Sequence, residues 1–324
     1  MMRFSTEKYS TPVLLMTFNR PEKTKNVLLQ IREAKPAKLY ISSDGPRVDV
    51  PSDAALVRRV RELIQLIDWD CDVKTLFRDS NRGGPLACSE AISWFFSQES
   101  EGIILEDDTL PNPSFFEFCS QLLHRYRNDP SIWVISGNSF TSGRAWGDGS
   151  YYLTKYPLLW GWATWRRAWS RFDLELEFCP TMRVSRNWKL LHQNYAERLY
   201  WSRIFNHAYR KESVHWDYSW MATIWFYGGL SITPNFNLVS NIGFGEGASN
   251  CLDADSELSN CPSYEFSSLD HPRALRLINA ADRATFEERF LGFSLYNWRS
   301  FFYLSKYFLR EYMKDLKRRF RAST

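Results

Sequence analysis

The stretch EGIILEDDTLPNPSFF, residues 101–116, sets an apolar run, three adjacent carboxylates and the start of a helical pattern one after another. GIIL reads as a strand buried on both faces, and Pro113 opens the helical spacing that follows. Glu106, Asp107 and Asp108 therefore fall at the carboxyl end of a strand. Two unit charges about 5 Å apart repel by roughly 3 kcal/mol at an effective dielectric of about 20, so a partly buried triplet calls for a cation, a proton or open water.

Outward from it, the first 140 residues keep alternating such runs with helical patterns. PVLLMTF (12–18), KLYISS (38–43), VKTLF (73–77) and IWVISG (132–137) are the other expected strands. Residues 21–34, 53–67, 85–98 and 113–127 carry apolar side chains at three- and four-residue spacing and are the expected helices. Right-handed crossovers build these into an α/β fold, a mixed but mostly parallel, Rossmann-like sheet flanked by helices. Ligands of such sheets bind beyond the carboxyl ends of the strands. There Asn19, Arg20, Asp44, Gly45, Arg78, Asp79, Asn81 and Arg82 would join the acidic triplet.

Composition narrows the class. With 44% hydrophobic and 24% charged residues among 324, the chain reads as globular, and its 14 Trp suit a dense core or sites that hold sugars by their faces. The net charge of +4 is concentrated at the end: residues 306–321 hold seven Lys/Arg and two Asp/Glu. The nearly neutral body predicts no nucleic-acid partner. Six scattered cysteines without nearby histidines indicate neither a zinc site nor a disulfide framework, and the N-terminal apolar run, broken by Thr17 and Asn19, is too short for a signal peptide or membrane span. A cytoplasmic protein is expected.

Strand-then-EDD suits a divalent ion, because Mg2+ or Mn2+ takes hard oxygen ligands, typically one or two carboxylates plus substrate phosphates. A solvated acidic turn is the plainer reading of the same residues. An aspartyl-phosphate hydrolase would need Asp, Asp and Thr where the chain has Glu106, Asp108 and Leu110. No Gly-rich phosphate loop follows any strand, and TFNRPEK lacks the signature of a sugar nucleotidyltransferase.

LEDD followed by Pro, Phe and Phe, FNRP after the first strand, SSDG after the second, and HWDYSW together resemble the GT-A glycosyltransferases, over roughly residues 11 to 250. Within that family the likeness is to N-acetylglucosaminyltransferase I and bacterial sugar transferases of similar design. The resemblance implies a metal-dependent transfer of a sugar from a nucleotide diphosphate. It makes Asp108 the direct ligand of Mn2+ or Mg2+, turns Asp107 and Glu106 toward ribose and sugar, sets Arg20 on the diphosphate and Asp44 on the uracil, and makes Asp217 the general base of an inverting reaction. Gly161 and Trp162 would line the sugar and acceptor pocket. Where relatives carry a histidine this chain has Ser249 and Asn250; Ser249 is counted with the donor-binding residues, and the metal is expected to rest mainly on Asp108 and the donor.

Each position also has an ordinary reading. Asp217 would be a helix N-cap, Arg20 a solvated helix-entry residue and Asp44 a turn residue before glycine. LLWGWATWRRAW would be core, and His192, His207 and His215 plain histidines. The organisation expected is a nucleotide-sugar-binding half over 1–140, an acceptor and catalytic half of the same domain over 141–250, and an irregular connection with an amphipathic basic helical tail over 251–324. That tail would lie in an anionic membrane interface or pack on the body. The function expected is transfer from a UDP-sugar to a glycan or lipid-linked acceptor in cell-surface polysaccharide synthesis, on the cytoplasmic membrane face; the alternative is a catalytically silent nucleotide-sugar or glycan-binding protein.

Overall fold

The computed structural model describes residues 9–140, 144–212, 215–245 and 259–291, together with Leu309 and Met313. The chain divides into two compact units, Met1–Ile278 and Asn279–Thr324, so the first unit runs past residue 250. The first four strands are β1 (Val13–Thr17), β2 (Lys38–Ser43), β3 (Asp72–Phe77) and β4 (Glu101–Glu106), all mutually parallel. After them come β5 (Thr109–Pro111), β6 (Ile132–Ser136), β7 (Tyr151–Thr154), β8 (Trp162–Trp165), β9 (Leu230–Pro234) and β10 (Val239–Asn241). Eight of these form one sheet in the order β3-β2-β1-β4-β8-β6-β9-β7, and β10 pairs with β5 apart from it.

Helices α1 (Pro21–Ala34), α2 (Pro51–Glu62), α3 (Gly84–Gln98) and α4 (Pro113–Arg125) connect the first strands. Each carries Pro in its first two positions, where a fixed φ favours helix and the missing N–H costs nothing. They are the helices the apolar spacing predicts, within a few residues at the ends.

The sheet departs from a simple doubly wound order at β8, which inserts antiparallel between β4 and β6. The expected fifth strand is therefore not the neighbour of the fourth. β7 and β8 are four residues long, and every residue of both is buried, so neither shows the two-residue alternation that marks a half-exposed strand.

Between β8 and β9 lie the short helices α5 (Arg166–Trp169), α6 (Cys179–Met182) and α7 (Arg186–Leu191), then α8 (Tyr195–Tyr209) and α9 (Trp216–Tyr227). α9 is apolar on all sides, the composition of a helix enclosed by its neighbours, and Gly228 at φ 79° ends it in the left-handed region. α8 turns Glu197 inward onto Lys155 Nζ at 2.9 Å.

His192 is fully buried between the rings of Trp188 and Trp225, each 4.3 Å away by centroid, with Glu197 Oε1 3.5 Å from its Nδ1, too poorly placed for a hydrogen bond. Burial pushes its pKa down to about 4. Between pH 6.5 and about 4 the unfolded chain binds a proton here that the folded chain refuses, so stability falls as pH drops through that window, by about 3 kcal/mol across its full width. His192→Phe should flatten that part of the pH dependence of thermal unfolding; an unaltered acid slope would assign it to other groups.

Among the described residues no helix is long and apolar enough to cross a membrane. Cys71, Cys88, Cys119 and Cys179 are unbridged thiols. The second unit contains α10 (Asn279–Thr285) and a π-helical segment, Phe286–Leu291. Ser249, Asn250 and, but for Leu309 and Met313, the basic tail beyond residue 291 lie outside the described residues.

Candidate functional site

Parallel pairing sends the loops after β1 to β4 out at one edge: Met16 lies opposite Glu106, Thr17 opposite Ser43, and Ser43 opposite Phe77. Because β8 is antiparallel to both neighbours, its start sits at the same edge, with Trp162 opposite Ile104 and Ser136. Pairing of Asn241 with Thr109 between β10 and β5 folds the segment around Gly243 over the acidic turn.

Arg20 is the residue before the first turn of α1, and its guanidinium reaches the triplet. Nη2 bonds Asp107 Oδ1, Nε reaches Asp107 Oδ2 at 3.3 Å, and Nη1 bonds Asp108 Oδ2 at 2.8 Å. Asp108 Oδ1 is unengaged among the described residues. Thr109 Oγ1 accepts the Glu106 N–H at 2.9 Å and donates to the Glu106 carbonyl at 3.0 Å, which pins the turn. The Ile242 N–H donates to the Asp108 carbonyl at 2.9 Å. A Cβ on Gly243 would stand 2.2 Å from Asp108 Oδ2, so only glycine leaves that carboxylate its place.

The cluster is short of positive charge. Burial, then the charges of Asp108, Asp217 and Asp107, push the Glu106 carboxyl up to about 8. Burial also lifts Asp107 to about 6 against the pull of Arg20. Arg20 is itself driven upward: burial opposes its charge, but Asp107 and Asp108 outweigh that. The two directions agree, since among the described residues Asp107 and Asp108 share the one Arg20 guanidinium.

Asp217 is the second residue of α9; its Oδ1 accepts the following N–H, of Tyr218, at 2.9 Å, and His215 holds the cap position, so Asp217 is not the N-cap. Its charge adds to the upward push on the Glu106 carboxyl. The neighbouring Trp216 stacks on Trp162 at 6.0 Å and 24°. Trp162 is fully buried, with Trp169 and Trp220 also against it, so its ring presents no face to a ligand.

Asp44 is buried. Oδ1 accepts the N–H of Gly45 at 2.9 Å and of Arg82 at 3.0 Å, and Oδ2 accepts Asn81 Nδ2 at 3.0 Å, which ties the loop after β2 to the loop after β3. Gly45 is pressed on the same joint, where a Cβ would come within 2.4 Å of the Ser80 carbonyl carbon. Gly45→Ala should therefore destabilise the protein by about 1–3 kcal/mol, the range for forced overpacking, as read by urea unfolding. Beside it, Arg47 and then Asn19 hold the buried Asp53 carboxyl down to about 2 despite its burial.

Other residues at this edge carry no motif. The Cys88 thiol, in the second turn of α3, is pushed up by burial and then by the charges of Glu106, Asp107, Asp217 and Asp44. Asn138 is buried, with Oδ1 accepting the Trp160 N–H at 3.2 Å and Nδ2 without a partner. The half-buried Trp160 ring lies near-perpendicular to Phe140 at 5.1 Å and to Phe244 at 5.9 Å. Only the three-dimensional pairing of β6 with β8 and of β5 with β10 reveals them.

No three His, Cys, Asp or Glu side chains converge as a ready-made ligand set among the described residues. A divalent cation nonetheless fits the chemistry here: among the described residues Asp108 Oδ1 is unengaged and the acidic triplet faces a single Arg20 guanidinium, and such ions readily take their remaining oxygens from phosphate and water.

No protein-family model and no curated protein matches the sequence. Among solved structures, a mannosyltransferase from Pyrobaculum calidifontis in complex with GDP-mannose and Mn2+ is 14% identical, with 68% of this chain and 70% of that chain covered at a TM-score of 0.38. HddC from Yersinia pseudotuberculosis is 10% identical over 52% of this chain and 85% of its own, at 0.31. A UDP-glucose pyrophosphorylase complexed with UDP-glucose is 9% identical over 49% and 78%, at 0.30.

Proposed function

We propose that the chain is a metal-dependent, inverting glycosyltransferase that moves a sugar from a nucleotide diphosphate, a UDP-sugar first among them, to a hydroxyl of a glycan or lipid-linked acceptor. The observation that carries this reading is the Arg20–Asp107–Asp108 clamp at the open edge of the sheet, with the Asp217 charge of α9 adding to the upward push on Glu106.

In this reading Arg20 turns from the carboxylates to the donor diphosphate, whose negative charge suits it better than water does. Asp108 holds the divalent ion, and Asp107 and Glu106 face the ribose and the sugar. When bound, Mn2+ or Mg2+ would stabilise the charge that gathers on the departing nucleoside diphosphate. Asp217 accepts the proton of the acceptor hydroxyl as its oxygen bonds the anomeric carbon and the bond from that carbon to phosphate oxygen breaks. Asp44 orders the base side of the pocket through Asn81 and Arg82, with its own oxygens already engaged.

The test is release of nucleoside diphosphate from UDP-sugars and GDP-mannose, with Mn2+, across a panel of glycan and lipid-linked acceptors. Metal-dependent release that needs an acceptor supports the transferase. Donor binding without release over the whole panel would instead identify a silent nucleotide-sugar-binding protein.

A further inference from the structure

The helices that cover α9 present an unusual outer face. α8 buries Glu197, Trp201, Phe205 and Ala208, one side of a helix at its natural spacing, and its other side is open. On that open side and just before it stand Val184, 71% exposed, Leu190, 57% exposed, and Tyr195, 71% exposed, with Leu199 and Tyr209 also exposed. Among and beside these lie cations. Residues 183–210 contain six Lys/Arg and a single acidic residue, Glu197, which is buried against Lys155 and Tyr156. The polar residues exposed between 183 and 199 are Arg183, Arg186, Lys189, Gln193 and Asn194, with no carboxylate among them.

A solvated helix face ordinarily mixes both signs of charge and keeps large apolar groups scattered. Between the flanking exposed acids Glu177 and Glu212, residues 183–199 expose no carboxylate and set aliphatic side chains among cations, which is the pattern of a surface that rests on anionic lipid: Lys and Arg meet the headgroups while Leu, Val and Tyr enter the acyl boundary. Nucleic acid would use the cations and Tyr195 but gain little from Val184, Leu190 and Leu199. We propose that the exposed side chains of residues 183–199, on α7 and the first turns of α8, form a docking surface for an anionic lipid bilayer. It goes beyond the proposed reaction and does not depend on it. Placement adds a consequence: Trp201 of α8 packs on Trp225 and Tyr218 of α9, the helix that carries Asp217. A bilayer at this face would bring membrane-borne acceptors to the lobe that holds the proposed base.

The experiment uses the full chain with sucrose-loaded vesicles, either phosphatidylcholine alone or phosphatidylcholine with about one-third phosphatidylglycerol, and no donor, so its outcome is independent of any transfer assay. Wild type should sediment with the anionic vesicles at least tenfold more strongly than with the neutral ones, in a salt-sensitive way. Two independent variants at exposed positions keep the test open to failure. Arg183→Glu/Arg186→Glu/Lys189→Glu should weaken anionic-vesicle binding at least tenfold. Leu190→Ser/Tyr195→Ser should weaken it severalfold with the salt dependence kept. Absence of wild-type binding to anionic vesicles, or wild-type binding by both variants, would overturn the proposal; the second result would move attachment to another part of the chain. Retention on soluble heparin without vesicle binding would also overturn it and make the face a polyanion site.

Discussion

Asp217→Asn should lower turnover by about 10²–10⁴-fold, the usual worth of a positioned general base, while donor affinity stays within a fewfold of wild type. The substitution keeps shape and keeps the oxygen that accepts the Tyr218 N–H, so the first turn of α9 has no reason to move. It removes the basicity and one of the negative charges that push Glu106 upward. Folding stability should accordingly hold or rise slightly, since relief of like-charge crowding favours the folded chain. Steady-state kinetics with a varied acceptor, calorimetric titration of UDP with Mn2+, and a thermal melt read the three quantities separately. Turnover equal to wild type would take the proton-accepting role away from Asp217. A collapse of donor binding together with turnover would make it a donor ligand instead.

The legible parts of the molecule are those whose physics is local. β1 to β4 announce themselves because a strand buried on both faces must be a continuous apolar run, and α1 to α4 because one stripe of each faces the core. Once those strands are parallel, the polar residues after each run must share an edge, which is why Arg20, Asp44 and Glu106–Asp108 could be grouped from sequence. What was hidden depends on contacts across long separations. β8 gives no alternation to read, so its insertion beside β4 was invisible, and with it the position of Trp160 and Asn138. Trp162 illustrates the converse: an indole reads the same whether it faces sugar or core, and only packing against Trp169, Trp216 and Trp220 decides. Nothing in FNRP shows that Arg20 closes on Asp107 and Asp108, a pairing that a cation beside carboxylates makes across 87 and 88 residues of sequence. Nothing about Cys88 in isolation shows that the charges of four carboxylates bear on its thiol.

Asp108 carries the second large effect, and a pair of substitutions isolates it. Asp108→Asn should lower metal-dependent turnover by about 10²–10³-fold, because a neutral amide is a poor ligand for a hard cation and several kcal/mol of leaving-group stabilisation go with the ion. Arg20 would keep its bonds to Asp107, so the fold around the turn should persist. Gly243→Ala attacks the same carboxylate without touching its chemistry. The new Cβ would lie 2.2 Å from Asp108 Oδ2 and 2.7 Å from its Cγ, and the atoms that must yield belong to a short side chain rather than to backbone. The displacement falls on the ligand, at the cost of its bond to Arg20 Nη1 and with Asn241 Oδ1 also crowded at 2.9 Å. If Asp108 works by holding a cation, Gly243→Ala should weaken Mn2+ affinity and lose most activity at low Mn2+, and excess Mn2+ should restore it in part, whereas Asp108→Asn should stay inactive at any concentration. Manganese binding followed by electron paramagnetic resonance, alone and with UDP, reads this without reliance on turnover. Equal activity of wild type and Gly243→Ala at limiting Mn2+ would mean that the placement of the Asp108 carboxylate does not matter, and the ion would then have to be sought elsewhere on the sheet's edge.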